Sequence, residues 1–235
     1  MMDALPTSAT APLPAPVLVP LKGLRGSIAR NMSAGWQAPR VALTMQVDMH
    51  RCQQLRAKLG QDGARISITP IVLKALALAL RAHPAMNALM RDSAIERMPG
   101  IHIGLAVSLD EGLAVPVLRD ADTKSVAALA AEAAQLAAGA RAGTLPLKAY
   151  QGGTFTVSSL GAAGVDWFTP ILNPPQVGIL GLGRVLEQPV VRAGALAIAP
   201  VTTLSLVFDH RAVDGHPAAL FLAELKARLE SCEGL

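Results

Sequence analysis

Residues 205–217 read SLVFDHRAVDGHP, and they place a group of polar side chains directly after an alternating apolar run. Such alternation is typical of a half-buried β-strand. His210 stands at the end of this predicted strand, where side chains can project into a crevice. Asp214 follows four residues later, and Gly215 allows a sharp turn before the next helix. This stretch raises the question of whether His210 is a catalytic base or part of a polar turn.

The composition indicates a protein with one substantial core. The chain has 235 residues, of which 51% are hydrophobic and only 3% aromatic, so aliphatic side chains must fill the interior of one large domain or two small ones. The net charge is +4, and the basic residues are scattered. A nucleic-acid surface would need runs of Lys and Arg interleaved with aromatic residues. We therefore expect no nucleic-acid partner.

The sequence predicts a cytoplasmic protein without a membrane partner. The apolar stretch ITPIVLKALALAL is interrupted by Pro70 and Lys74 and is too short and too amphipathic to span a bilayer. The first twenty residues contain no Lys or Arg and do not resemble a signal peptide. Cys52 and Cys232 lie far apart in sequence and outside any CxxC motif, which favours reduced thiols in a reducing compartment.

The first 18 residues differ in composition from the rest. Residues 1–18 are rich in Ala and Pro and are predicted to be the stub of an extended linker, although a frayed terminus would look the same. Residues 19–235 are predicted to form the folded domain.

Long helical patterns alternate with runs of consecutive strands along this domain. Five segments are predicted to be helices, from the spacing of their apolar residues or from residues typical of helix ends. They are GLRGSIARNMSAGW, HRCQQLRAKLG, ITPIVLKALALALRA, the Ala-rich KSVAALAAEAAQLAAGARAG and PAALFLAELKARLE. Strand patterns lie between them. This order predicts an α/β fold, a two-layer sandwich with a mixed sheet flanked by helices, rather than regular βαβ winding.

Two other kinds of site are disfavoured by the sequence. The glycines of GILGLGRV are followed by a strand-like segment, whereas a dinucleotide-binding GxGxxG motif opens a helix. His210 and His216 lack a third ligand at zinc spacing, so no metal site is expected. From these residues alone, His210 and Asp214 fit a structural ion pair as well as a catalytic pair.

The segment DHRAVDG closely resembles the signature of the catalytic domain of dihydrolipoamide acyltransferases. These proteins are the core components of 2-oxo acid dehydrogenase complexes and share a fold with chloramphenicol acetyltransferase. Further blocks are similar in the same order over about residues 19–230: VPLKGLRGSIARNM, SITPIVLKALALALRAHPAMNA, HIGLAVSLDEGLAVPVLRDAD, GGTFTVSSLG and FTPILNPPQVGILGLGRV. The resemblance implies that residues 19–235 are an acyltransferase catalytic domain with a chloramphenicol acetyltransferase-like fold.

The resemblance also implies an activity and a catalytic pair. The family moves an acyl group between dihydrolipoamide and coenzyme A, and His210 corresponds to its general base. A free thiol has a pKa of about 8.5, so a neutral imidazole is needed to remove its proton as the sulfur attacks. Ser158 corresponds to the hydroxyl that stabilises the oxyanion. The neighbouring Ser159 should point to the other face of the strand, and a capping role for Ser158 is the alternative.

The acid of the motif corresponds to Asp214. The resemblance implies a structural role for Asp214, and we hypothesise that its carboxylate forms a buried ion pair with an arginine and so fixes the loop that carries His210. Arg25, in the opening segment, is the candidate partner, and Arg211 is the alternative, although its position next to His210 should direct its side chain away from that residue.

The chain departs from the family at Arg40, where a histidine is usual, and in two ways that bear on its substrate and its assembly. None of its lysines lies in an acidic hairpin context, so it has no covalent lipoyl site, and the lipoyl group would be supplied in trans by a separate lipoyl-domain protein. The C-terminal LESCEGL offers only one terminal leucine, which predicts that assembly stops at the trimer.

The resemblance implies a homotrimer that works with other 2-oxo acid dehydrogenase components. Each site would combine a histidine from one subunit with a serine from its neighbour. Two alternatives are a non-catalytic scaffold or regulatory subunit and a coenzyme A-dependent acyltransferase with a different acceptor.

Overall fold

The computed structural model describes residues 16–61, 66–110, 112–192 and 194–235. The α-helices in these ranges are α1 Gly23–Gln37, α2 His50–Leu59, α3 Ile68–Ala82, α4 Val126–Ala142 and α5 Gly215–Ser231. The strands are β1 Arg40–Asp48, β2 Ala88–Met90, β3 Ile95–Arg97, β4 Ile103–Leu105, β5 Val107–Leu109, β6 Gly112–Ala114, β7 Val117–Leu118, β8 Phe155–Ser159, β9 Gly178–Leu182, β10 Leu186–Arg192 and β11 Ala195–Asp209.

The largest sheet has the order β1-β11-β9-β8-β4-β7, and β10 pairs with the first part of β11. Strand β8 runs parallel to both β4 and β9, whereas the other pairs are antiparallel. The prediction of a mixed sheet is therefore confirmed. Most of the predicted linker, residues 1–15, lies outside the described residues, and the division at residue 18 stays a prediction.

The main core lies between this sheet and the helical layer. Helix α3 is its centre, with Ile71, Leu73, Leu76 and Leu80 fully buried, and it packs against α4 and α5. Because α3 is apolar on most of its faces, it can be packed between neighbouring helices, while α5 contacts β1 of the sheet. The predicted two-layer sandwich is confirmed. None of the helices in the described ranges is long and apolar enough to cross a bilayer.

The ends of the helices follow from their sequences. The Ser125 hydroxyl accepts a hydrogen bond from the backbone N–H of Ala128 (3.2 Å) at the start of α4, which satisfies one of the free N–H groups there. Gly143 ends α4 with a φ of 66°, a left-handed conformation that glycine adopts without steric cost. Pro70 lies in the first turn of α3, where the missing N–H of proline costs no helical hydrogen bond.

The alternating pattern of residues 102–120, with a turn at residues 110–112, predicts one hairpin, and the structure divides these residues between two sheets. Strands β4 and β7 belong to the main sheet, whereas β5 and β6 form a separate two-stranded sheet. The break falls at Ala106, whose N–H donates to Val157 O (2.9 Å). The hairpin β2–β3 was not predicted, because strands of three residues are too short to show a period.

The two cysteines are close in space although they are 180 residues apart in sequence. Cys52 of α2 and Cys232 at the end of α5 are both free thiols, and their sulfur atoms are 3.5 Å apart. Their separation in sequence therefore did not predict that the two thiols are neighbours in the structure.

Candidate active site

His210 immediately follows β11 and is held by its backbone. Its N–H donates to Pro39 O (2.9 Å), just before β1, and the N–H of Asp209 donates to Val177 O (2.9 Å). The His210 ring packs near Phe208, with 5.9 Å between ring centroids, and its side chain is 44% exposed. The backbone is thus fixed while the ring stays accessible, as a proton-transfer group requires.

The Asp214 carboxylate faces His210, with 3.7 Å between Asp214 Oδ1 and His210 Nδ1. This distance is too long for a hydrogen bond. Asp214 is the N-cap residue of α5 but makes no side-chain cap hydrogen bond, and its side chain is 84% exposed. The expectation of a buried ion pair for Asp214 is therefore wrong within one chain, and a pairing with Arg25 stays a prediction.

The buried carboxylate of this segment belongs to Asp209, whose side chain is only 3% exposed. Arg211 donates from Nε to Asp209 Oδ1 (3.0 Å), from Nη2 to Oδ2 (2.6 Å) and from its backbone N–H to Oδ1 (3.0 Å). The hydrogen bonds from Arg211 to Asp209 raise the pKa of Arg211. This pair fixes the turn that carries His210. Sequence reasoning missed it, although an acid that ends an apolar strand two residues before an arginine was a usable signal.

Ser158 lies near the end of β8 and lines a cleft of about 390 Å³. Thr156 lines the same cleft, whereas Ser159 is not among its lining residues, so the predicted alternation along β8 is confirmed. The remaining walls are mostly apolar and come from α1, the β5–β6 region, β9 and the segment before it: Ser27, Ile28, Asn31, Met32, Ala106, Leu113, Val115, Phe168, Pro170, Ile171, Asn173 and Ile179. The i, i+4, i+8 spacing of Leu24, Ile28 and Met32 predicts one helix face, but the side chain of Leu24 lies outside the described residues.

A chain of hydrogen-bonded side chains includes three residues that line this cleft, Asn31, Asn173 and Thr156. Asn31 Nδ2 donates to Asn173 Oδ1 (2.9 Å), and Asn173 Nδ2 donates to Thr156 Oγ1 (3.3 Å). Thr156 Oγ1 in turn donates to Gln176 Oε1 (2.5 Å). These contacts tie α1 and the 173–176 segment to β8 beside Ser158. In the segment NPPQ, which the sequence predicts to be a rigid turn, Asn173 lines the cleft and Gln176 accepts the hydrogen bond from Thr156.

Ser158 and His210 lie far apart within one chain. Ser158 pairs with Gly181, which pairs with Ser205 two strands away, and His210 is five positions beyond Ser205. With about 3.3 Å per residue along a strand and 4.8 Å between strands, the separation is roughly 15–20 Å. A single chain therefore does not bring the two predicted catalytic groups together.

Comparison with known proteins gives one consistent result. The family model for the 2-oxoacid dehydrogenases acyltransferase catalytic domain matches residues 14–235. The dihydrolipoyllysine-residue acetyltransferase component of the acetoin cleaving system of Bacillus subtilis is 39% identical over 218 residues, which cover 90% of this chain and 55% of that protein. The chain spans about half the length of the curated relatives that it matches.

Solved structures match over nearly the whole chain. The structure from a study of a serine, a histidine and an asparagine in the catalytic mechanism of Azotobacter vinelandii dihydrolipoamide acetyltransferase is 35% identical, with a TM-score of 0.87 and coverage of 94% of this chain and 98% of that one. The cubic core of a pyruvate dehydrogenase multienzyme complex is 35% identical, with a TM-score of 0.89 and 98% coverage of both chains.

Chloramphenicol acetyltransferase shares the fold. It is 17% identical, with a TM-score of 0.56, and the match covers 85% of this chain and 94% of that one. The match over residues 14–235 and the relative with 39% identity show that the chain belongs to the family of 2-oxoacid dehydrogenase acyltransferases and contains its catalytic domain.

Proposed function

We propose that this chain is an acyltransferase that moves an acyl group between dihydrolipoamide and coenzyme A. His210 is the general base, Ser158 donates a hydrogen bond to the oxyanion, and Asp214 orients His210. The active unit is a homotrimer. The observation that carries the proposal is the arrangement of two half-sites on opposite parts of one chain, an exposed histidine at a strand end and a serine in an apolar cleft.

Residue spacing supports the assignment of these roles. The Azotobacter vinelandii study concerns a serine, a histidine 52 positions after it and an asparagine four positions after the histidine. The same intervals separate Ser158, His210 and Asp214. At the third position this chain has an aspartate where that protein has an asparagine. Aspartate and asparagine share a side-chain oxygen but differ in charge. This position therefore suits a residue that orients His210 through that oxygen better than one that transfers a proton.

The chemistry assigned to His210 follows from its surroundings. Asp214 faces Nδ1, which leaves Nε2 as the ring nitrogen that receives the proton of the attacking thiol. The sulfur of coenzyme A then attacks the acyl carbon of the thioester, and His210 returns the proton to the sulfur of the departing dihydrolipoamide. The reverse transfer uses the same groups in the opposite order.

The chemistry assigned to Ser158 requires a preorganised donor. When the thiol adds, the carbonyl oxygen becomes an oxyanion, and a hydroxyl aimed at it stabilises the transition state. The apolar walls around Ser158 exclude water, which strengthens this hydrogen bond. A cleft of about 390 Å³ also lies within the usual range for small-molecule sites.

The lipoyl group is supplied in trans. None of the six lysines in the sequence has flanking acidic residues, as a lipoylated lysine would need. A lipoyl domain on a separate chain, or elsewhere in a longer protein, would present the dithiol to the cleft. Other 2-oxo acid dehydrogenase components are then the expected partners, and a cytoplasmic location stays a prediction.

The surface of the chain supports assembly with further copies. The hairpin of β10 and the first part of β11 exposes Val191, Leu196 and Ile198. Exposed apolar residues that cluster on one element mark an interaction surface. A second copy that packs against this hairpin would cover the exposed apolar residues. If it also brought its Ser158 close to His210, it would complete the proposed site.

A transfer assay tests the proposal. The purified chain is incubated with acetyl-coenzyme A and either free dihydrolipoamide or a purified, reduced lipoyl domain, and release of coenzyme A is followed. We expect turnover with both acceptors and a higher rate with the lipoyl domain.

Two outcomes would favour the alternatives. Acetyl transfer to an alcohol or amine but not to either dithiol would identify a coenzyme A-dependent acyltransferase with another acceptor. Absence of transfer to any acceptor by a correctly assembled protein would favour a scaffold or regulatory subunit, although such a subunit has no need of His210 and Ser158.

A further inference from the structure

The two cysteines of the chain form a thiol pair that the acyl-transfer chemistry does not use. Cys52 Sγ and Cys232 Sγ are 3.5 Å apart, and both sulfurs lie near the same backbone carbonyl, Leu229 O, at 3.1 Å and 3.4 Å. A disulfide bond is about 2.0 Å long. The sulfurs must therefore approach each other by only about 1.5 Å, a distance within reach of rotation about the side-chain bonds.

We propose that Cys52 and Cys232 form a reversible intrachain disulfide under oxidising conditions, which ties the end of α5 to α2. The inference rests on the positions of the two thiols and is independent of the proposed acyl transfer. Cys52 and Cys232 are the two cysteines of this sequence, so within it a disulfide can join no other pair.

The different exposure of the two thiols sets the order of events. Cys52 is fully buried, whereas Cys232 is partly exposed. Burial raises the pKa of the Cys52 thiol far above its usual range. Burial also raises the pKa of Cys232, but the hydrogen bond with Cys52 and the positive charge of Arg51 oppose this change. Cys232 is thus the thiol that an oxidant meets first.

The reaction balances with a peroxide as the oxidant. The Cys232 thiolate attacks hydrogen peroxide, forms an S–O bond and releases hydroxide as the O–O bond breaks. The Cys52 thiol gives its proton to that hydroxide, and its sulfur attacks the sulfur of the Cys232 sulfenic acid. The S–S bond forms and the S–O bond breaks with loss of a second hydroxide. A thiol reductant reverses the change.

The backbone at Cys232 is consistent with a side chain retained for its sulfur. Cys232 ends α5 with a φ of 56°, in the left-handed region that glycine usually occupies at the end of a helix. A residue with a Cβ is sterically disfavoured there. The contact of its sulfur with Cys52 gives a reason for a cysteine at this position.

The disulfide should stabilise the chain measurably. It would join residues that are 180 positions apart, and a long loop closed in the unfolded state lowers its entropy and so favours the folded state. For a chain of this size we expect the Tm of the oxidised form to exceed that of the reduced form by roughly 5–15 °C.

The test uses the full chain, treated with hydrogen peroxide at increasing concentrations. Remaining thiols are alkylated after denaturation, and the intact mass and the cross-linked peptide are measured. We expect loss of both thiols together, a monomer mass lower by two hydrogens and recovery of both thiols on reduction. The Cys232→Ser variant should keep Cys52 alkylatable at the same peroxide concentrations, because the entry thiol is gone.

Three results would overturn the inference. They are a disulfide between chains in place of the intrachain bond, oxidation of Cys232 to its sulfinic acid while Cys52 stays alkylatable, and an oxidised form that contains the bond but melts no higher than the reduced form. None of them depends on an activity assay, so failure here is distinct from failure of the proposed function.

Discussion

Two acidic residues, Asp209 and Asp214, stand on either side of His210 in very different surroundings. The Asp209 side chain is 3% exposed and bound by Arg211, whereas Asp214 is 84% exposed. A carboxylate removed from water depends on its charged partner, and an exposed one does not. Loss of the pair of Asp209 and Arg211 should therefore lower the stability of the fold, whereas a change at Asp214 should not.

This contrast predicts the effects of two substitutions. Arg211→Ala leaves the buried Asp209 carboxylate with only its backbone donor and should cost about 1.5–3 kcal/mol, a fall in Tm of several degrees. Asp214→Asn should change the free energy of unfolding by less than about 1 kcal/mol, because the asparagine oxygen can still face His210. Thermal denaturation of both variants measures the difference. A larger loss of stability in Asp214→Asn would point to a partner for Asp214 on another subunit.

Removal of the proposed general base, His210, should abolish the proposed reaction without unfolding the protein. His210→Ala is expected to lower kcat by at least about 100-fold, because no group remains to take the thiol proton, while the Tm stays near that of the wild type. His216→Ala is the matched control, since His216 is an exposed residue in the first turn of α5 and should retain full activity. Equal turnover in His210→Ala and wild type would remove the central assignment.

Ser158 and Ser159 are adjacent at the end of β8. Substitution of each in turn distinguishes a specific role of Ser158 in the proposed oxyanion site from a general effect of changing this strand end. Ser158→Ala should lower kcat by roughly a hundredfold with little change in KM for coenzyme A, because the hydrogen bond forms mainly in the transition state. Ser159→Ala should have a small effect, since Ser159 does not line the cleft. Steady-state kinetics of the two variants decides between them, and a larger loss in Ser159→Ala would contradict the assignment.

For single residues, the sequence predicted the direction in which a side chain points better than it predicted the hydrogen-bond partners of that side chain. The face of Ser158 follows from strand alternation, and the position of His210 follows from the end of an apolar run. The network of Asn31, Asn173 and Thr156 joins three segments distant in sequence. No local period could reveal such contacts.

At the scale of elements, α1 approaches the 171–172 segment so closely that only glycine fits. A Cβ placed on Gly35 would lie 2.2 Å from Leu172 O and 3.1 Å from the Ile171 side chain. Because the nearer contact is with backbone, Gly35→Ala must push α1 away from this segment, which also lines the cleft. We expect a cost of about 1–3 kcal/mol, seen as a Tm lower by several degrees.

Gly215→Ala is the control for this substitution. Gly215 has no positive φ, and a Cβ there would meet nothing within 4 Å. Its Tm should be unchanged or raised, since alanine has the higher helix propensity. This position therefore does not need glycine for a sharp turn, contrary to the sequence-based expectation. A Tm of Gly35→Ala equal to that of the wild type would show that α1 is not held against the 171–172 segment.

The elements themselves were largely predictable, for reasons visible in particular residues. Ser125 and Gly143 mark the ends of α4 through hydrogen bonding and backbone conformation, and both effects are local. The break at Ala106 was not predictable, because it depends on a hydrogen bond to Val157, which lies about 50 residues away in sequence. Strand pairing of this kind is decided by the assembled sheet.

At the scale of the whole molecule, the separation of His210 and Ser158 within one chain means that the proposed site requires a second copy of the chain. Neither half-site is complete alone, and the chain exposes an apolar hairpin at β10 and β11. We expect a particle of three times the 24.4 kDa chain mass at micromolar concentration, measured by light scattering. A larger particle would show that further surfaces join trimers, whereas an active monomer would contradict a shared site.

Subunit mixing tests the shared site directly. Chains with Ser158→Ala keep His210, and chains with His210→Ala keep Ser158, so each homotrimer lacks one group at every interface. When the two variants are co-expressed in equal amounts and assemble at random in a cyclic trimer, about one quarter of the interfaces join an intact His210 to an intact Ser158. Transfer activity should then return to about one quarter of the wild-type level, whereas the variants assembled separately and then combined should stay inactive until subunits exchange. Co-assembled trimers no more active than their parents would contradict the shared site. Both groups would then have to act from the same chain, where they lie roughly 15–20 Å apart along and across the sheet, too far for direct chemistry.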